Sequence, residues 1–155
     1  MAKKRKSKSN TSTWIVVGIG LLALGYLWMR QQLGLIQVAG VSIPFQKLEG
    51  ASVRLGIKVK IINASALAAR ITGFTGFILS PSGSVISTVF MERPAVVNRF
   101  QEAQLDFGSV ISGASVAAEL WNVLQTGQMP DWKGYRIKGQ LRVYGFPLPI
   151  ETTLV

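Results

Sequence analysis

The sequence predicts an antiparallel β-sandwich with one short helix, preceded by a single transmembrane helix near the N-terminus. The stretches 53–61 and 135–143 alternate apolar and polar residues, which is the period of a strand with one buried face. The segment 80–83, Ser-Pro-Ser-Gly, combines the residues of a tight turn. The run 14–29 contains no charged residue, which is typical of a helix that spans a membrane.

The uncharged run is the core of a predicted membrane anchor over residues 14–30. Its sixteen residues span roughly 24 Å at 1.5 Å per helical residue, somewhat less than a hydrocarbon core of about 30 Å. Trp14 lies at one end and Tyr26 and Trp28 at the other, where aromatic side chains favour the membrane interface. Arg30 follows and can extend its guanidinium to the headgroups.

A basic tail, residues 1–13, precedes the anchor, and we expect it to be flexible because it has no apolar periodicity. Its cations are Lys3, Lys4, Arg5, Lys6 and Lys8. An excess of Lys and Arg keeps a helix end on the cytoplasmic side, or inside a virion, so residues 31–155 are expected on the other side. The same cations would attract anionic lipid or nucleic acid without sequence specificity.

A cleaved signal peptide is the alternative interpretation of a basic start followed by an apolar run. The end of the run and the residue after it, from Tyr26 to Arg30, consist of large residues, whereas a cleavage site needs small residues. The segment Val38–Gly40 is a weaker candidate site. We therefore favour the membrane anchor.

The composition argues against the common catalytic sites. The chain has a net charge of +10 and contains neither Cys nor His, which excludes disulfides, Cys/His zinc sites and His-dependent triads. Residues 31–155 hold eleven Lys or Arg and all seven Asp or Glu. Glu102 and Asp106 are four positions apart in a predicted strand or loop, a spacing that makes no catalytic pair. We expect a non-enzymatic protein without metal or cofactor.

The predicted domain follows a connector, residues 31–50, which holds a possible first strand that Pro44 ends. In the sandwich domain itself, residues 51–155, apolar alternation and β-branched content predict strands at 53–61, 71–79 and 84–90, one strand within 96–107, and strands at 135–143 and 150–154. One helix is expected within 112–124, with Ser112 or Ser115 as its cap. The segment 145–149 is expected to turn the chain.

Three segments resemble, in this order, the late-embryogenesis-abundant type 2 domain, also called the water-stress and hypersensitive-response domain. They are the strand 57–63 that ends in Asn63, the helix around 120–124, and the segment 137–149, Ile-Lys-Gly-Gln-Leu-Arg-Val-Tyr-Gly-Phe-Pro-Leu-Pro. The resemblance covers about residues 35–155. It implies a fibronectin- or immunoglobulin-like sandwich, often tethered to a membrane, without catalytic residues. The family usually has Pro after the Asn, where this chain has Ala64.

Six cations form a candidate interaction face on two predicted strands. They are Arg54, Lys58 and Lys60 on one strand, and Arg136, Lys138 and Arg142 on the other. If the strands are neighbours, the cations form one patch for an acidic protein, lipid headgroups or nucleic acid. The alternative is a solvated sheet face on which lysines discourage edge pairing.

Two function classes follow from this layout. The first is a membrane-tethered structural protein that contacts a neighbouring protein layer, in a cell envelope or as a link between capsid and inner membrane of a virion. The second is a cell-envelope module whose sandwich holds a lipid or another apolar ligand. A cavity between the sheets would favour the second class, and a filled core with exposed apolar loop tips the first. Both classes allow homo-oligomers.

Overall fold

The computed structural model describes the backbone of residues 11–154 and the side chains of residues 20–154 other than Ser115 and Glu119. A long helix, α1 (Thr11–Leu33), leads into a β domain. The strands are β1 (Ile36–Glu49), β2 (Ser52–Asn63), β3 (Ala69–Leu79), β4 (Val85–Met91), β5 (Ala95–Val97), β6 (Gln101–Ser112), β7 (Arg136–Val143) and β8 (Phe146–Thr153). A short helix, α2 (Ala118–Gln125), lies between β6 and β7. The predicted mainly β fold is confirmed.

The strands form one antiparallel sheet that curls into two facing layers. The strand order is β1-β2-β6-β4-β3-β7-β8, with β5 added beside the start of β3. β4 pairs with β3 along its length and with β6 only near its own end, at 89–91. It therefore carries the sheet from the layer β1-β2-β6 into the layer β3-β7-β8.

Alternation along the strands builds the core, as the sequence predicts. Every second residue of β2, from Val53 to Ile61, is buried, while the residues between them face outward. At the centre Phe74 of one layer stacks on Phe107 of the other, with ring centroids 4.8 Å apart. The Phe74 ring has room there because it lies over Gly76 and Gly139, which face each other across β3 and β7.

Two buried serines stabilise the corner where β4 crosses between the layers. Ser87 donates to the carbonyl of Val110 at 2.6 Å, and Ser109 donates to the carbonyl of Thr88 at 2.7 Å. The β4–β6 ladder extends only from 89 to 91 on β4, so these two carbonyls lie just beyond its last pair. The hydroxyls satisfy acceptors that would otherwise be buried without a donor.

The prediction that Pro44 ends the first strand is wrong, because β1 continues to Glu49. β1 is an edge strand, and its register shifts between Ser42 and Phe45. A bulge on an edge strand tolerates a proline, which has no N–H to donate. The same reason explains β8, the opposite edge strand, which begins at Phe146 and contains two prolines inside the segment predicted to turn the chain.

Two other predicted elements have different bounds. The strand predicted within 96–107 is two strands, β5 and β6, and β6 continues to Ser112. The predicted helix begins later, at Ala118, and its cap position is Ala117 without a side-chain hydrogen bond, so neither predicted serine is its cap. Trp121 packs directly over Gly113, which seats α2 against the end of β6.

Candidate interaction surface

The last turns of α1 rest on one end of the β domain. The rings of Tyr26 and Phe146 lie 6.2 Å apart, and Gln32 accepts a hydrogen bond from the backbone N–H of Ala66 at 3.0 Å. Leu33 packs against the core. We call this end, formed by the loops at 64–68, 98–100 and 144–145, the helix-side end.

The residues predicted to anchor the chain are exposed where the structure describes them. Leu22 exposes 77% of its surface and Tyr26 exposes 54%, and Trp28 and Arg30 are also exposed. The side chain of Trp14 and the predicted tail cations (Lys3, Lys4, Arg5, Lys6 and Lys8) lie outside the described residues. Among the residues that are described, no helix meets the length and hydropathy expected of a membrane span.

Asn63 ties together the loops of the helix-side end. Its fully buried amide donates to the carbonyls of Leu67 at 2.7 Å, Val97 at 2.9 Å and Asn98 at 3.1 Å. Its oxygen accepts from the hydroxyl of Ser65 at 2.6 Å. The strand-ending Asn that the sequence singles out is therefore a structural residue, and it holds this turn without the proline that the resembling family usually has.

The structure does not join the six cations of the candidate basic face. β2 lies between β1 and β6, whereas β7 lies between β3 and β8. Arg54, Lys58 and Lys60 therefore belong to one layer, and Arg136, Lys138 and Arg142 belong to the other. The condition for a single patch, that the two strands are neighbours, is not met.

Five of these six cations pair with carboxylates of other strands or turns. The pairs are Arg54 with Glu92 at 3.0 Å, Lys58 with Asp106, Lys60 with Glu102 at 2.8 Å, and Glu151 with both Arg136 at 2.8 Å and Lys138 at 3.6 Å. The cations of β2 are thus matched one to one by carboxylates, whereas the three cations of β7 have only Glu151 as a partner among the described residues. Within the described part of the chain, no three carboxylates come together as metal ligands.

Two aromatic residues that the sequence analysis does not single out lie on the outer face of the first layer. Gly56 and Gly108 are opposite each other in β2 and β6. Phe45 packs on the first glycine and Phe90 on the second. Phe45 and the neighbouring ion pairs border a shallow depression of about 450 Å³. The sequence contains one signal for this arrangement: both glycines stand at outward-facing positions of their strands, where alternation predicts polar residues. It does not indicate which aromatic rings cover them.

Comparison with known proteins gives no family. No protein-family model matches the chain, and no curated protein matches it. A crystal structure of a protein from Archaeoglobus fulgidus is similar over 77% of this chain and 98% of its own, with 14% identity and a TM-score of 0.45. A β-glucuronidase from glycoside hydrolase family 2 is similar over 74% of this chain and 11% of its own, with 11% identity and a TM-score of 0.42. Neither similarity carries an argument about function, and the resemblance to the late-embryogenesis-abundant type 2 domain stays a prediction.

Proposed function

We propose that this chain is a membrane-anchored, non-enzymatic interaction protein, with α1 in a bilayer and the β domain held at the bilayer surface beside a neighbouring protein layer. The exposed apolar surface of α1 carries the proposal: Leu21, Leu22, Leu24 and Leu27 each expose more than half of their surface. Contiguous apolar surface of this kind is normally covered by a partner or a membrane. The uncharged run 14–29, which the sequence analysis predicts to be the core of the anchor, lies within this helix.

The packing of the β domain supports an interaction protein over a ligand carrier. The Phe74–Phe107 stack occupies the space between the layers at the centre of the core. The groove between the edge strands β1 and β8 has a volume of about 340 Å³ and is open to solvent. A filled core favours a structural protein that contacts a neighbouring layer over a module that holds an apolar ligand.

The end of the domain away from α1 supports contact with a protein layer. Three apolar side chains, Leu48, Val85 and Met129, are each about half exposed on separate elements there. A photoreactive residue in place of Val85 is expected to form cross-links to the neighbouring protein in native membranes or particles. The same residue in place of Thr75, which is exposed on the side of β3, is the control and is expected to form fewer.

The anchor is tested by charging the helix. Leu22→Arg places a cation in the apolar stretch and should weaken insertion by roughly 3 kcal/mol, while Leu22→Ala removes the side chain without a charge. After an alkaline carbonate wash of membranes from expressing cells, the parent chain and Leu22→Ala should remain in the pellet and Leu22→Arg should be released. Release of the parent chain would reject the proposal.

The orientation and the setting need separate measurements. The tail cations support a cytoplasmic or virion-interior N-terminus, so protease added outside sealed cells should digest residues 31–155. Complete protection of the domain would reverse the orientation. Mass spectrometry of purified virus particles against host membranes then separates a virion protein, which would link capsid and inner membrane, from a cell-envelope protein.

A further inference from the structure

The cations of the described chain divide into two groups by partner and by place. Six have a carboxylate within ion-pairing distance: Lys47, Arg54, Lys58, Lys60, Arg136 and Lys138. The other six have no carboxylate partner among the described residues: Arg30, Arg70, Arg93, Arg99, Arg142 and Lys133. Apart from Lys133, which lies in the loop after α2, the unpaired group consists only of arginines.

The unpaired arginines lie towards the helix-side end. Arg70 is the second residue of β3, and Arg142 is the second-last residue of β7, two positions before the turn at 144–145. Arg99 lies in the turn between β5 and β6, and Arg93 lies in the turn between β4 and β5. Arg30 borders a cleft against Phe146 and Pro147. All five are exposed.

An aromatic side chain projects from the same end. Phe100 exposes 70% of its surface and has a φ of 56° in a turn closed by the hydrogen bond from the Gln101 N–H to the Asn98 carbonyl. Glycine or asparagine is usual at a positive φ, so a phenylalanine there is strained. Its exposed ring gains little from packing inside the domain. Val96, on the adjacent β5, exposes 57%.

We propose that the helix-side end docks on an anionic bilayer surface, with Arg70, Arg99 and Arg142 at lipid phosphates and Phe100 in the interface. Guanidinium groups bind phosphate oxygens through two parallel hydrogen bonds, and aromatic rings are favoured at the membrane interface. α1 leaves the domain at this same end, so a bilayer that holds the helix also faces these residues. This inference rests on the proposed function and adds the lipid class to it.

The test measures membrane depth on the full chain in nanodiscs. The chain contains no cysteine, so single spin labels can be placed at Leu22→Cys in the helix, Asn98→Cys at the helix-side end and Ser82→Cys at the opposite end. With phosphatidylglycerol present, the Asn98 label should become protected from a water-soluble relaxation agent. It should stay accessible in phosphatidylcholine alone, and the Ser82 label should stay accessible in both.

A charge-matched pair of variants separates docking from net charge. Each cation near an anionic surface changes the ratio of docked to undocked domain roughly five-fold, so Arg70→Gln/Arg99→Gln/Arg142→Gln should lower it about 100-fold. Lys47→Gln/Lys58→Gln/Lys138→Gln removes three charges from paired positions and should have a much smaller effect. High salt should release the parent domain, because it screens exposed charges.

The outcomes distinguish this inference from the anchor itself. If the Leu22 label lies in lipid while the Asn98 label is equally accessible in both nanodiscs, docking is rejected and the anchor stands. If the Leu22 label lies in water, the proposed function fails as well. Protection of the Asn98 label by added duplex nucleic acid in neutral nanodiscs would assign this end to nucleic acid and overturn the lipid assignment.

Discussion

The substitution Gly139→Ala tests the packing between the layers, because little space lies above this glycine. A Cβ at this position would lie 2.5 Å from the carbonyl oxygen of Thr75, 2.6 Å from Cα of Gly76 and 2.6 Å from the Phe74 ring. Overpacking a core costs about 1–3 kcal/mol, and we expect the upper end because two of the three atoms are backbone. Gly139→Ala should therefore lower the free energy of unfolding by about 3 kcal/mol, and Tm by roughly 10 °C.

The assay is urea and thermal unfolding of the full chain in micelles, followed by near-ultraviolet circular dichroism. Gly40→Ala is the matched control, because a Cβ there meets nothing within 4 Å, and its effect should stay within about 0.5 kcal/mol. In a Phe74→Leu background the cost of Gly139→Ala should fall but persist, since the backbone contacts remain. Equal unfolding midpoints for Gly139→Ala and Gly40→Ala would refute the packing described here.

Three further predictions follow from the strand faces and the helix-side end. Ile57→Asp buries a charge in the core and should unfold the domain, visible as lost near-ultraviolet dichroism; a native spectrum would contradict the assigned face. Lys58→Asp should lower the free energy of unfolding in urea by about 1 kcal/mol, because it places a carboxylate opposite Asp106. Arg142→Asp should lower it by less. A larger effect of Arg142→Asp would contradict the ion pairing. Asn63→Ala should cost about 3 kcal/mol and speed amide exchange in the loops of the helix-side end, whereas unchanged exchange would show that other contacts hold them.

Which face of each strand is buried could be predicted from sequence, because alternation is a local property. Val59 is buried and Lys60 is exposed, as the period of two requires. Strand ends were less predictable, since a proline such as Pro44 ends a central strand but is tolerated at a bulge on an edge. Edge or central position depends on partners far along the chain, which the local pattern does not contain.

The same limit explains the candidate basic face. Its residues point outward, as alternation predicts, but β7 pairs with β3 rather than with β2, and no local pattern encodes that order. The unpaired arginines cannot be predicted from sequence either, because Arg70 and Arg99 are distinguished from other exposed cations only by the positions of the carboxylates in the fold. Phe100 is apolar, and nothing in the local sequence indicates that it has a positive φ or that its ring is exposed.

The opposite charges of β2 and β6 bear on how the sheet assembles. The outward charges of β2 are all cations, Arg54, Lys58 and Lys60, whereas those of β6 are the carboxylates Glu102 and Asp106. β2 ends at residue 63 and β6 begins at residue 101. During synthesis β2 is therefore complete before β6 has been made. Like charges disfavour pairing of two β2 strands from different nascent chains, while β6 supplies carboxylate partners for Lys58 and Lys60. The charge pattern therefore favours pairing of β2 with β6 over pairing of β2 with a second copy of itself.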